Sequence, residues 1–204
     1  MKSRSQLQSL VHGLAATALL AGGGVLAPVA AADEAAWDAL AEGGVVVMLR
    51  HTESEEADQE RSMYLSDARD CSDDEVHLTE KGKEQASALG EALRERKVAV
   101  DEVLSSEFCR AWQTAKGVFG EYEHWEALNL LPALPAADAD FLMEDVRDRI
   151  ADFGGEGNLF LVSHRPNVNT ITQQNVDAGS MVVMRPEGMG SFDVIGVIDM
   201  ESLD

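Results

Sequence analysis

The chain has 204 residues, of which 45% are hydrophobic and 5% aromatic, as in an ordinary globular domain. Its 16 lysines and arginines are outnumbered by 37 aspartates and glutamates, so the formal net charge at neutral pH is −21. Such an acidic surface repels nucleic acid and anionic lipid, and we expect neither as a partner.

The first 32 residues have the pattern of a secretory signal peptide. Lys2 and Arg4 form a short basic segment, an apolar run covers 14–26, and small residues lead up to Ala32. The run is too short and too rich in glycine to favour an uncleaved membrane anchor. We therefore expect residues 33–204 to be exported as a single domain, periplasmic or secreted, without membrane attachment after cleavage.

Export bears on the two cysteines of the chain, Cys71 and Cys109. An even number of cysteines in an oxidising compartment predicts a disulfide between them. The alternative is a pair of buried free thiols.

Apolar runs typical of buried strands alternate with amphipathic helices along the mature chain. We predict strands over 45–49, 98–104, 127–131, 158–163, 181–184 and 192–198. Helices are predicted over 33–42, from Thr79 onward, and over 110–119, 141–153 and 168–174, with Phe141, Val146 and Ile150 facing inward. A polar loop is predicted over 52–74. The alternation predicts an α/β fold, a three-layer αβα sandwich with a largely parallel central sheet.

Cationic and imidazole side chains follow three of the predicted strands. Arg50 and His51 come directly after the first strand, His164 follows the strand over 158–163, and Arg110 lies at a helix start. Because ligands bind at the carboxyl ends of parallel strands, we expect these four side chains to lie close together. Arginine binds phosphate through two parallel hydrogen bonds, and a helix N-terminus adds N–H donors. The set predicts a phosphate pocket.

Other interpretations of these residues remain open. Each histidine has a purely structural alternative, and Arg110 could be a solvated helix cation. A zinc site is a further alternative, although the sequence has none of the tight ligand spacings of such sites. Its ligands would be His51, His77, His124 and His164. We expect no metal or other cofactor, and we expect His77 and His124 at the surface.

The sequence resembles the histidine phosphatase superfamily, also called the phosphoglycerate mutase-like fold. The motifs that carry the resemblance occur in the order of the family: Arg50-His51-Thr52-Glu53, Leu78-Thr79-Glu80-Lys81-Gly82, Gln85-Ala86, Leu89-Gly90, Ser105-Ser106 through Arg110, Gln113-Thr114-Ala115 and Val162-Ser163-His164. The resemblance implies that His51 is the phosphorylated nucleophile. It also implies that Arg50 and Arg110 bind the phosphoryl oxygens and that His164 completes the pocket.

The chain departs from the family pattern at Thr52, where a small glycine or alanine is usual. Its side chain would either narrow the pocket or lend it a hydroxyl group. The resemblance does not fix the general acid. The candidate carboxylates in the loops are Glu53, Glu121, Glu123, Asp138 and Asp140.

These observations predict an exported phosphomonoesterase that acts on a small phosphomonoester through a phosphohistidine on His51, with neither metal nor cofactor. Because the domain is small, we expect an open pocket. One alternative is a non-catalytic module that binds phosphate or a phosphorylated ligand in the same pocket. Another is a signalling phosphohistidine phosphatase, which would usually act in the cytosol. The oligomeric state is not predicted.

Overall fold

The computed structural model describes residues 29–203, with side chains from Asp33 onward, so the predicted signal peptide lies outside the described residues up to position 28. The strands are β1 (Val46–Arg50), β2 (Val100–Ser105), β3 (Glu123–His124), β4 (Asn158–Ser163), β5 (Met181–Gly188) and β6 (Ser191–Ile198). The α-helices are α1 (Val29–Glu42), α2 (Gln59–Met63), α3 (Glu80–Glu95), α4 (Cys109–Phe119), α5 (Ala136–Ala151) and α6 (Arg165–Thr172). Over the described range, no helix is long and apolar enough to cross a membrane.

All six strands form one sheet, in the order β3-β2-β4-β1-β5-β6. The four strands from β3 to β1 run parallel, and β5 pairs antiparallel with β1 and with β6. The predicted largely parallel sheet is confirmed. Strand β4, in the middle of the parallel part, is buried over its whole length, because both of its faces are covered.

Helices cover both faces of the sheet, which gives the predicted three layers. Because successive residues of a strand point to opposite faces, Val47 and Leu49 pack into a core with α1, α3 and α4. Val46 and Met48 pack on the other face, in a second core with α5 and α6.

The predicted strand over 127–131 is wrong. Two short 3₁₀ turns, Glu126–Leu128 and Leu131–Ala133, occupy this stretch, and β3 lies just before it. Pro132 cannot donate a hydrogen bond to a strand ladder. Ala127 and Leu128 are fully buried although they belong to no strand. Their apolar run therefore looks like a strand although it forms a packed turn.

Helix α5 starts five residues earlier than predicted, and Phe141 is not on its inner face but 63% exposed. Ala139, Met143, Val146 and Ile150 are the residues that face the core, at spacings of three and four. Phe141 lies two positions from both Ala139 and Met143, on the opposite side of the helix. The inward prediction is correct for Val146 and Ile150 only.

Candidate active site

The strand register brings the predicted pocket residues together at the carboxyl edge of the sheet. Arg50 pairs with Ser163 across β1 and β4, so the residues that follow them, His51 and His164, are neighbours. Their ring centroids lie 5.4 Å apart. With Arg110, they line a cavity of about 470 Å³.

His51 is held in a defined tautomer. Its Nδ1 lies 2.9 Å from the carbonyl oxygen of Thr52, which can only accept a hydrogen bond. Nδ1 therefore carries the proton, and Nε2 keeps a lone pair. His51 is 8% exposed, and this burial, together with the positive charge of Arg110, lowers its pKa to about 3. The ring is neutral at physiological pH, as a nucleophile must be.

The two arginines that line the cavity are each anchored to a backbone carbonyl oxygen. Arg110, 4% exposed in the first turn of α4, donates from Nη2 to the carbonyl oxygen of Ser62 at 3.1 Å. Arg50 donates from Nη1 to the carbonyl oxygen of Val176 at 2.8 Å, and its Nε has no partner within the described structure. Burial lowers the pKa of Arg110 to about 10, so it remains a cation at neutral pH. An otherwise acidic protein therefore concentrates positive charge here.

His164 is 1% exposed, and within the described residues its ring makes one hydrogen bond, between Nε2 and the hydroxyl group of Ser106 at 2.8 Å. Its Nδ1 is buried and has no partner in the described part of the chain. Burial first, and then the charge of Arg110, lower the pKa of His164 well below its usual value. Ser106 belongs to the motif noted in the sequence, although its contact with His164 is a tertiary feature.

Thr52 neither narrows the cavity nor lends it a hydroxyl group. Its side chain is fully buried, and its Oγ1 lies 3.2 Å from Oγ1 of Thr114. The Thr114 hydroxyl donates to the carbonyl oxygen of Arg110 at 2.8 Å and accepts from the Thr52 backbone N–H at 3.1 Å. The two threonines thus join the end of β1 to α4, which fixes His51 relative to Arg110.

The candidate general acids from the sequence do not line the cavity. Glu53, for instance, binds Lys81 at 2.6 Å and the hydroxyl group of Thr79 at 3.0 Å. Among the described residues, Glu55 is the carboxylate that lines the cavity. A hydrogen bond from Arg61 at 2.6 Å holds its pKa below the usual range, so it is ionised.

The segment between β1 and α3 forms one wall of the cavity. Gln59, Ser62 and Met63, all from the short helix α2, line this wall. Arg61 fastens the segment by donating to the carbonyl oxygens of Asp74 and Glu75, at 3.3 and 2.8 Å.

The predicted disulfide between Cys71 and Cys109 is confirmed, with a Cα–Cα distance of 5.1 Å. It ties the same segment to the first residue of α4, next to Arg110. The expected surface location is correct for His124, whereas His77 is half-buried, with its Nδ1 3.4 and 3.5 Å from the two sulfurs.

The histidines proposed for the alternative zinc site are not all together, because His77 lies with the cysteines rather than beside His51 and His164. Within the described residues, one group of three potential metal ligands has its ligand atoms within 4.8 Å of one another. It consists of Cys71, His77 and Cys109, and both of its sulfurs are in the disulfide.

Comparison with known proteins identifies a family with a similar sequence. The model of the histidine phosphatase superfamily (branch 1) matches residues 46–134. A comparison with curated protein sequences gives no match.

Several solved structures are similar in fold. The protein histidine phosphatase SixA complexed with tungstate has a TM-score of 0.56 at 16% identity, covering 78% of this chain and 99% of its own. Phosphoserine phosphatase from Entamoeba histolytica, in complex with phosphoserine, has a TM-score of 0.50 at 14% identity, covering 78% and 99%. The mycobacterial glucosyl-3-phosphoglycerate phosphatase has a TM-score of 0.51 at 15% identity, covering 74% and 96%. The sequence match and the shared fold confirm that this chain resembles the histidine phosphatase superfamily (branch 1).

Proposed function

We propose that the chain is a phosphatase that transfers a phosphoryl group from its substrate to Nε2 of His51 and then to water. The observation that carries the proposal is the neutral, tautomer-fixed His51 in one cavity with the cations Arg50 and Arg110. A nucleophile needs the free lone pair, and the transferred group needs the charge neutralisation.

The reaction has two displacement steps. The Nε2 lone pair of His51 attacks phosphorus, and the electron pair of the breaking bond leaves with the departing group. Arg50 and Arg110 neutralise the phosphoryl oxygens throughout. Water then attacks phosphorus, the phosphorus–nitrogen bond breaks, its electron pair returns to Nε2, and inorganic phosphate forms.

The leaving group narrows the class of substrate. The carboxylate that lines the cavity, Glu55, is ionised and ion-paired, so it is a poor proton donor. This supports substrates whose leaving group needs no proton from the enzyme, namely aryl phosphates and phosphoramidates whose leaving nitrogen base is already protonated by solvent. Similarity in fold to a protein histidine phosphatase is consistent with a phosphoramidate.

A substrate panel tests the proposal. Wild type and His51→Ala are assayed on aryl phosphates of graded leaving-group pKa, on an alkyl phosphate and on phosphohistidine. We expect turnover by wild type that falls steeply as the leaving-group pKa rises, and almost none by the variant. Tungstate binding without turnover of any substrate would support the non-catalytic module instead.

We further propose that the protein is exported and that residues up to about Ala32 are removed, as the pattern around Lys2, Arg4 and the apolar run predicts. N-terminal sequencing of material recovered outside the cytoplasm tests this. A protein that begins at Met1 in that fraction would contradict it.

A further inference from the structure

A chain of hydrogen bonds runs from His164 away from the cavity. Nε2 of His164 bonds to the Ser106 hydroxyl at 2.8 Å, and this hydroxyl lies 3.1 Å from Oδ1 of Asn129. Asn129 contacts Glu107 twice, each time at 2.8 Å. His164, Ser106 and Asn129 are at most 4% exposed, so solvent does not replace any of these bonds.

The orientation of the Asn129 amide follows from its two bonds to Glu107. The backbone N–H of Glu107 can only donate, so its partner is the carbonyl oxygen Oδ1. The carboxylate of Glu107 accepts from the amide Nδ2. Burial raises the pKa of Glu107, but hydrogen bonds from Arg69 and Asn129 outweigh it and keep the carboxyl ionised. Oδ1 therefore faces Ser106 as an acceptor.

The proton positions on Ser106 and His164 then follow. The single hydroxyl proton of Ser106 is donated to Oδ1 of Asn129, and the hydroxyl oxygen accepts from the Phe108 backbone N–H at 3.2 Å. Its remaining bond, to Nε2 of His164, can only be accepted. His164 therefore carries its proton on Nε2, and its unpartnered Nδ1 has a lone pair.

We propose that Ser106 and Asn129 are positioning residues that hold His164 in this tautomer, so that an oxyanion bound in the cavity brings one proton onto Nδ1. The inference rests on the proposed function, because the anion must sit between Arg50 and Arg110. A lone pair repels an anionic oxygen, whereas a protonated Nδ1 donates a charge-assisted hydrogen bond to it. Changing the tautomer instead would break the buried bond to Ser106.

The surroundings explain why the proton arrives only with the anion. Arg50, His51 and Arg110 face the imidazole, Glu55 and Arg165 line the same cavity, and Glu107 lies behind Asn129. Burial and the nearby cations lower the pKa of His164 in the free protein, so the ring is neutral. A dianion offsets those cations and favours the charged ring. Affinity for a dianion should then fall by up to about tenfold per pH unit above neutrality.

Calorimetry with tungstate measures this proton directly. Tungstate remains a dianion near neutral pH, so protons exchanged with two buffers of different ionisation enthalpy come from the protein. We expect wild type to take up about one proton per tungstate at about pH 7. Asn129→Leu and Ser106→Ala should take up almost no proton. In Asn129→Leu the Ser106 hydroxyl is free to donate to Nε2, and in Ser106→Ala the acceptor that holds the proton on Nε2 is gone. In both variants the neutral ring can therefore carry its proton on Nδ1 and donate it to the anion. The matched control is Ser105→Ala, because the Ser105 hydroxyl bonds, among the described residues, only to the Ser106 carbonyl oxygen.

Nitrogen NMR of His164 gives a second readout, with Nε2 alone protonated in free wild type and both nitrogens protonated with tungstate. A merely structural role for Asn129 would weaken binding but leave proton uptake unchanged, which would overturn the inference. Tungstate binding by wild type without proton uptake would also overturn it while leaving the phosphate pocket intact. If wild type does not bind tungstate at all, both the inference about His164 and the proposed phosphate pocket are contradicted. If neither variant folds, the wild-type calorimetry and NMR decide alone.

Discussion

Reduction of the disulfide between Cys71 and Cys109 should lower both stability and oxyanion affinity. The bridge joins residues 38 apart in sequence, and chain entropy gives about 4 kcal/mol of stabilisation for a loop of this length. For a domain of this size the loss corresponds to a melting temperature lower by about 8–16 °C. Arg110 follows Cys109 directly and bonds to Ser62 in the tied segment, so tungstate should also bind more weakly.

Urea unfolding followed by tryptophan fluorescence, with and without a thiol reductant, measures the stability term, and tungstate titration measures the affinity. The control is the double variant Cys71→Ser/Cys109→Ser, which should resemble reduced wild type and be insensitive to reductant. A change below about 1 kcal/mol on reduction would refute the entropic reasoning. An unchanged tungstate affinity would refute the coupling of the bridge to Arg110.

Two further predictions concern charge in the cavity. Arg110→Lys should lower kcat/KM at least tenfold, or about 1.4 kcal/mol of transition-state binding, because a point charge replaces a planar fork; full activity in steady-state assays would remove Arg110 from the site. Because the pKa of His51 is about 3 when folded and about 6.5 when unfolded, its contribution to stability is complete above pH 6.5 and is lost as pH falls, by about 2 kcal/mol at pH 5. Urea titrations of wild type and His51→Gln at a series of pH values measure this contribution. The free energy of unfolding of wild type relative to the variant should fall as the pH falls, and a pH-independent difference between the two would contradict the lowered pKa.

The sequence predicts the framework of the site because that framework depends on local patterns. The apolar run at 158–163 coincides with β4, and the polar residues that end β1 and β4 lie together because the sheet is parallel. The apolar run at 127–131 misleads, since its burial comes from packed turns rather than a strand ladder.

The remaining parts of the site depend on contacts between residues distant in sequence. Asn129 reaches Glu107 and Ser106 across more than twenty positions, and Glu55 lines the cavity only because its segment folds back over it. The sequence shows that Thr52 departs from the family pattern. It does not show that Thr52 bonds to Thr114, which is 62 residues away. No pattern of spacing indicates these pairs.

The most direct test of the central claim is detection of the phosphoryl group on His51. Wild type is mixed rapidly with an aryl phosphate, quenched without acid, digested and examined by mass spectrometry. We predict one acid-labile phosphoryl group per chain, on Nε2 of His51, that forms and decays at rates compatible with turnover, and none in His51→Ala. A turning-over enzyme with no adduct on His51, or with the adduct on another residue such as His164, would contradict the account.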